Sequence, residues 1–457
     1  MYIKNYVNEK KQMYEKLQIF ISSTSDQDNF SNLYQIINIQ ADVEEFRLFL
    51  HLIGEIAKYY HADSQFFRKI EQILAELKEF MKQTFSNHEL FNIFKGNKRI
   101  ILFLLESDII TIDESIFKEI LDKIYKENEN QNENGKDFIF DDYSDEQGSD
   151  ILESIYSGDY NWIEREFEHD DNEEEDDYED EDEFYITLEE KNDEREPKKR
   201  QTKNKDFLYF FYPEIKGYLN AWQMRQIEKK LNLKIGQFTI DEFKEKRKIG
   251  ENGSYICELI RQDSIEEFVS YVTRTNYSIN SQVPHSIFET NSFLVKNDPS
   301  LIEYAAFFGS IQIIRYLQFN KVILKPSLWM YAIHSNNAEL IHFLEENHVQ
   351  PPENNYDNCL EESIKCHHND IAQYIYENLM DYKSKINDLQ NNFDHNFLAY
   401  CFRYYNFGLW PEEMSNHFIF FYLCKYNYFN LVKLFVNEMN IDLNSEIEIN
   451  VILYKLS

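Results

Sequence analysis

Along most of the chain, apolar residues return every three or four positions, the spacing of a helix with one buried face. In Val43–Ala62, "VEEFRLFLHLIGEIAKYYHA", Phe46, Phe49, Leu50, Ile53 and Ile56 fall on one side. "FFRKIEQILAELKEFMKQTF" (Phe66–Phe85) carries the same pattern. Residues 1–127 therefore read as a helical N-terminal domain. Order resumes at "FLYFFYPEIKGYLNAWQMRQIEKKLNL", which predicts a helical connector over 207–250. From "SYICELIRQDSIEEFVSYV" onward, across 251–457, successive helices begin to resemble one another.

"LIEYAAFFGSIQIIRYL" (Leu301–Leu317) and "LWMYAIHSNNAELIHFL" (Leu328–Leu344) align at an offset of 27 residues. Ala305 falls on Ala332, Ile313 on Leu340, Ile314 on Ile341 and Leu317 on Leu344. The next step, Leu344 to Ile375, is 31, and a step of 60, two units, reaches Phe435. Inside that double step, "HNFLAYCFRYYNFGLWPEEM" offers one well-patterned helix and one poor one. The preceding step, Val272 to Leu317, is lengthened to 45 by "INSQVPHSIFETNSFLVKNDP". "GNKRIILFLLES" (Gly96–Ser107) aligns without a gap on Gly309–Leu317, so a degenerate unit is expected at 96–107.

Each clear unit predicts a cap, a helix, a tight turn and a second helix. Ser300, Ser327 and Asn358 are N-cap residue types. Glu303 and Glu361, three positions later, would complete capping boxes with Ser300 and Asn358. Small residues at Ala305, Ala332 and Ser363 mark where helices of adjacent units must approach. Gly309 and Asn336 tolerate the left-handed turn conformation, and His367, in the same register, fits less well.

This pattern resembles the ankyrin repeat, whose helices open T-P-L-H-x-A-A and G-H-x-E-I-V-K-L-L-L. "SLIEYAAFFGSIQIIRYL", "SLWMYAIHSNNAELIHFL" and "FNLVKLFVNEMNIDLN" carry the likeness. More narrowly, Phe207–Asn444, including "YFFYPEIKGYLN", looks like the lineage-expanded ankyrin-repeat family of parasitic protists (trichomonad type). That family has an uncharacterised N-terminal domain and no assigned enzyme activity. The resemblance implies an all-α, ankyrin-type helical solenoid. No unit keeps T-P-L-H, and "VILKPS" and "HVQPPENNYDN" replace most of the usual finger, so irregular loops are expected in place of regular β-hairpins.

Composition agrees with long helices, since only 11 glycines and 8 prolines interrupt 457 residues. Charge changes the picture between the helical regions. Asp141–Glu196 holds 27 acids against three basic residues, most of the chain's net −35. "DDNEEEDDYEDEDE" (Asp170–Glu183) repels itself and has little apolar surface to bury. Residues 128–206 are therefore expected to be an acidic, largely disordered linker. Nucleic acid is not an expected partner, because phosphate binding needs clustered Lys and Arg. No run of apolar residues is long enough to span a membrane, and the N-terminus lacks an apolar signal region, which points to the cytoplasm. "PKKR" (Pro197–Arg200) would instead direct the chain to the nucleus if it acts as an import signal.

The five cysteines, Cys257, Cys359, Cys366, Cys401 and Cys424, are all in the last 210 residues, in apolar or helical settings that suit reduced, buried thiols. Cys359, Cys366, His367 and His368 invite a zinc reading, but the C-x6-C-H-H spacing lacks the short Cys pairs of structural sites. Core packing and turn roles are the expectation. No phosphate loop, H-E-x-x-H or G-x-S-x-G motif occurs. The chain is thus expected to be a non-enzymatic protein-interaction scaffold with no cofactor and an unknown protein partner. The alternative is a binder of basic proteins, of histone or ribosomal type, acting through the acidic tract. Candidate contact residues are Tyr304, Tyr331, His334 and Trp329, with the loops Lys321–Pro326 and His348–Asp357. Tyr304 and Tyr331 each precede the small core residue and are expected to point away from the stack, whereas Trp329 takes a core position of the consensus.

Overall fold

The computed structural model describes residues 2–22, 42–59, 64–120, 207–219, 221–236, 239–380, 395–410 and 417–439. The acidic segment 128–206, including Pro197–Arg200, lies outside the described residues. The protein is mostly helical, and among the described residues no strand forms; one isolated bridge joins Gln282 and Ser300.

Two compact units are present: 1–100 with 254–284 and 291–457, and 101–253 with 285–290. The expected division into 1–127, 207–250 and 251–457 does not follow them. The N-terminal helices share a unit with the repeats because their apolar faces are buried against repeat helices as well as against one another.

In the first unit, α1 (Tyr2–Ser22) and α2 (Val43–Tyr59) are followed by α3 (Ser64–Glu76), α4 (Lys78–Thr84) and α5 (Asn87–Phe94). Ser86 and Glu89 cap α5 reciprocally. Gly54 of α2 lets α5 approach closely, since a β-carbon there would lie 3.2 Å from the Ile93 carbonyl oxygen. The division between units falls inside α6 (Lys98–Glu106).

The second unit contains α7 (Tyr212–Ile215), α8 (Ala221–Ile235) and α9 (Ile240–Ile249). Thr239 and Glu242 form the capping box that opens α9, and Gly250 closes it in the left-handed conformation. Fully buried Arg247 holds this unit together. Its guanidinium grips Glu214 through both carboxylate oxygens at 2.7 and 2.8 Å and also donates to the Phe210 carbonyl. The expected connector is therefore part of a small core that also includes Phe288 against Phe243.

The repeats return to the first unit as helix pairs. They are α10 (Tyr255–Arg261) with α11 (Ile265–Thr275), then α12 (Ser292–Asn297) from the inserted segment, then α13 (Leu301–Phe308) with α14 (Ile311–Phe319). Next come α15 (Leu328–His334) with α16 (Ala338–Glu346), and α17 (Asp357–Lys365) with α18 (Asn369–Tyr374), which ends in a wider turn over Ile375–Leu379. After α19 (His395–Arg403), the expected poor second helix is a single tight turn, Phe407–Leu409. The last pair is α20 (His417–Lys425) and α21 (Phe429–Met439).

The first helices α10, α13, α15, α17, α19 and α20 pack side by side in chain order. Ala305, Ala332 and Ser363 are fully buried in this row, as the small-residue register requires. Six turn residues, Asp263, Gly309, Asn336, His367, Tyr405 and Asn427, adopt positive φ. At five of them the backbone closes with the same two bonds. At Gly309, for example, Ser310 N–H reaches Ala305 O and Gly309 N–H reaches Ala306 O.

The helix starts agree only in part. Ser300 and Glu303 form the expected capping box, in which Glu303 accepts the Ser300 backbone N–H; the Ser300 hydroxyl also donates to Glu303. Ser327 does not cap its own helix; its hydroxyl crosses to Glu303 of the preceding unit at 2.6 Å. Asn358 is inside α17, which is preceded by Tyr356. The expected Asn358–Glu361 box does not form, because Glu361 is drawn to Tyr404 Oη at 2.7 Å and to Arg403. Gly96, aligned with Gly309, is not left-handed, although α5 and α6 do form a helix pair around it.

Candidate functional site

The residue just after each turn makes a bond that links the units. Ser310 Oγ donates to Ile260 O (2.6 Å), His368 Nδ1 bonds Ile333 O (2.7 Å), Asn406 Nδ2 donates to Ile364 O (2.9 Å) and Tyr428 Oη to Phe402 O (2.7 Å). Each acceptor is the carbonyl three residues before the preceding unit's turn residue. Asn337 reaches instead to Gly309 O at 3.5 Å, the loosest rung. Asn97 makes the related bond to Ala57 O of α2 at 2.6 Å. Four residue types, Ser, Asn, His and Tyr, fill one structural position, so sequence comparison alone does not expose the ladder.

The four candidate contact residues are buried, and three of them thereby correct the expectation. Tyr304 is 1% exposed; its hydroxyl accepts from Arg261 of the preceding unit at 2.8 Å. Tyr331 is 3% exposed, covered by Phe293 of α12 with ring centroids 4.9 Å apart. His334 is fully buried under Phe293 and Phe307. The insert that lengthens one repeat step thus returns as a helix covering Tyr331 and His334. Trp329 is core, as its consensus position implies; its indole donates to Val349 O at 2.8 Å and its ring meets Tyr356 edge-on.

Around His334 the chain gathers a dense polar cluster. His334 Nε2 lies 2.8 Å from Glu362 Oε1, and Nδ1 lies 3.2 Å from the carbonyl of Tyr59, the last residue of α2. Both partners are hydrogen-bond acceptors, so the ring is held between the end of α2 and Glu362 of α17. Lys365 Nζ lies 3.0 Å from each Glu362 oxygen and 4.4 Å above the Tyr59 ring. Burial alone would raise the Glu362 carboxyl; Lys365 and His334 overcome it and hold the group down to about 2. Lys58 O, one residue earlier, accepts from Ser292. Three successive carbonyls at the end of α2, those of Ala57, Lys58 and Tyr59, are therefore capped by side chains from distant segments.

His334, Glu362 and Cys366 also bring three metal-ligand types within 4.8 Å of one another. Their geometry does not suit an ion. The Cys366 sulfur is 3.4 Å from Nδ1 and 3.7 Å from Nε2, nearly equidistant and therefore off the lone-pair axis of either nitrogen. Both ring nitrogens and both Glu362 oxygens already have partners, one of them a cation. Burial raises the Cys366 thiol well above its ordinary range, which also speaks against a nucleophilic thiolate. The other residues of the zinc reading are dispersed. Cys359 is buried with its thiol pushed up, His368 is a ladder rung, and His367 Nδ1 lies 3.0 Å from Tyr14 Oη of α1.

One exposed apolar feature stands at the other end of the helix pairs. Phe319 is 82% and Ile323 is 72% exposed, at the end of α14 and in the loop that follows. The neighbouring loop, 348–357, carries Glu353 and Asn354, both left-handed, at an exposed tip. No helix of the described residues is long and apolar enough to cross a membrane. Comparison of the chain with protein-family models, with curated proteins and with solved structures gives no match.

Proposed function

We propose that the protein is a non-enzymatic recognition scaffold, an ankyrin-type solenoid that binds a protein partner along its inter-unit loops. The recurrent left-handed turn, the side-by-side first helices and the ladder support the solenoid reading. Irregular loops replace the β-hairpin fingers of that fold. The observation that carries the binding surface is the exposure of Phe319 and Ile323 at the loop end, on a stack in which Tyr304, Tyr331 and Trp329 of the first helices are buried. Large apolar groups at a loop rim are the residue class that anchors protein interfaces. This step from fold to function is analogy.

The test is affinity capture with the full chain, comparing wild type with Phe319→Ser/Ile323→Ser. Partners retained by wild type should be lost from the variant, with the melting temperature unchanged. Capture of the same proteins by both would remove the loop rim as the binding surface.

A further inference from the structure

The turn edge of the helical row is covered from within the chain. α1 packs on α21 and on the turn Phe407–Leu409, and α2 packs on α12 and α21. A β-carbon on Gly408 would lie 2.8 Å from the Tyr14 ring, so α1 is seated closely there. Two histidines lie directly in this contact. His51 of α2 stacks on Tyr405, a left-handed turn residue, with ring centroids 5.7 Å apart and planes 7° from parallel. His367, itself a left-handed turn residue, stacks on Tyr14 of α1 at 5.6 Å and shares a hydrogen bond with its hydroxyl. We propose that α1 and the middle of α2 are an acid-releasable cover over the turn edge, with His51 and His367 as the groups that release it.

The surroundings of each ring oppose a positive charge. Near His51 stand Arg47 and Glu55 of its own helix and Tyr405 of the turn, with Tyr428 of α21 behind Tyr405. Burial, then Arg47, pushes His51 down to about 4. Glu55 gives little relief, because burial pushes its carboxyl up, against the opposing pull of Lys58, Lys365 and Arg403. Around His367 are Tyr14 of α1, neighbouring His368, and Tyr404, beyond which Arg403 pairs with Glu361. Burial, then His368, pushes His367 down to about 3, against a backbone hydrogen bond with Tyr404.

Both rings are neutral when docked. A base whose docked value is depressed contributes its full share above its free value, near 6.5, and loses it as the pH falls toward the docked value. The loss therefore falls between about pH 6.5 and 4 for His51, and continues toward about 3 for His367. At pH 5 each histidine weakens docking roughly 30-fold, and the two together roughly 1000-fold. The junction at the end of α2 behaves differently, since Glu362 is held near 2 and keeps its charge through this range. Acid therefore frees α1 and the middle of α2 first, while the His334 pin persists.

Amide hydrogen exchange on the full chain at pH 7.5 and 5.0, corrected for intrinsic rates, tests this. Residues 2–22 should lose protection strongly at pH 5.0 while residues 301–346 keep theirs. The variant His51→Phe/His367→Asn should show no such change; Phe keeps the stacking and Asn suits the left-handed backbone at 367. If circular dichroism at pH 7.5 shows that the double variant misfolds, His51→Phe alone should reduce the pH effect roughly 30-fold. Equal protection of residues 2–22 at both pH values, equal loss throughout the chain, or an unchanged pH response in a folded variant would overturn the proposal.

Discussion

The helix pairs have two ends, and the two are built from opposite chemistry. At the turn end, each repeat unit from α10 onward carries a left-handed residue, and most are tied to the adjacent unit by a side chain reaching a backbone carbonyl. That end also holds buried His334 and Glu362 with half-buried Lys365, and receives α1 and α2. At the loop end the connections differ in length, the cross-unit bonds join side chain to side chain, as in Ser327–Glu303, Gln318–Asn347 and Tyr374–Glu345, and Phe319 and Ile323 face solvent. Fixed chemistry at one end leaves the other free to vary without loss of the stack. Recognition is better placed where variation is tolerated.

The sharpest way to break this comparison is to put the same charge at both ends. Ala332→Glu should destabilise by about 4 kcal/mol, through overpacking and a buried unpaired carboxylate. Ile323→Glu should stay within about 0.5 kcal/mol of wild type. Urea titration of both variants decides; similar midpoints would mean that the row is not packed as described.

Next in size is the pin at the end of α2. Glu362→Gln leaves Lys365 and His334 without their carboxylate and should cost about 3 kcal/mol. Because the Glu362 carboxyl is depressed when folded, its contribution is complete above about pH 4.5 and is lost as the pH falls toward about 2. The variant should therefore lack the part of the wild type's acid sensitivity that falls in that window, as read by melts from pH 5 to pH 2.

A single rung is worth less. His368→Ala removes one bond to Ile333 O and should cost about 1–2 kcal/mol, with partial recovery in His368→Asn, the residue type found at the equivalent position 406. A melt in which His368→Ala matches wild type would show that the ladder adds no stability. The smallest effect belongs to Phe319→Ser, which should move the urea midpoint hardly at all.

Much of the row was legible in the chain. Ala305, Ala332 and Ser363 announced close helix approach, and Gly309 and Asn336 announced left-handed turns, because few residue types meet those steric demands. His367 occupies the same conformation with φ of 59°, and only its alignment with the other two pointed to it. The double step of 60 residues also resolves into two turns, at Tyr405 and Asn427. Asn358 misled, because α17 starts before it, at Asp357, and Glu361 bonds Tyr404 and Arg403 instead. The burial of Tyr304 and Tyr331 was not legible either. Helical periodicity reports one face of one helix, and what covers the other face comes from α12 for Tyr331 and from Arg261 for Tyr304.

By itself, then, the sequence determined the all-α class, the repeat register and the turn positions, all of which depend on backbone sterics and local periodicity. Tertiary structure alone decided the rest. His334 became the clasp of α2 because an acceptor at the end of that helix and Glu362, 28 residues further along the chain, stand on either side of its ring. The ladder accepts Ser, Asn, His or Tyr because the fixed partner is a carbonyl, and any donor of suitable reach satisfies it. No residue type encodes such contacts; they exist only once distant segments have packed.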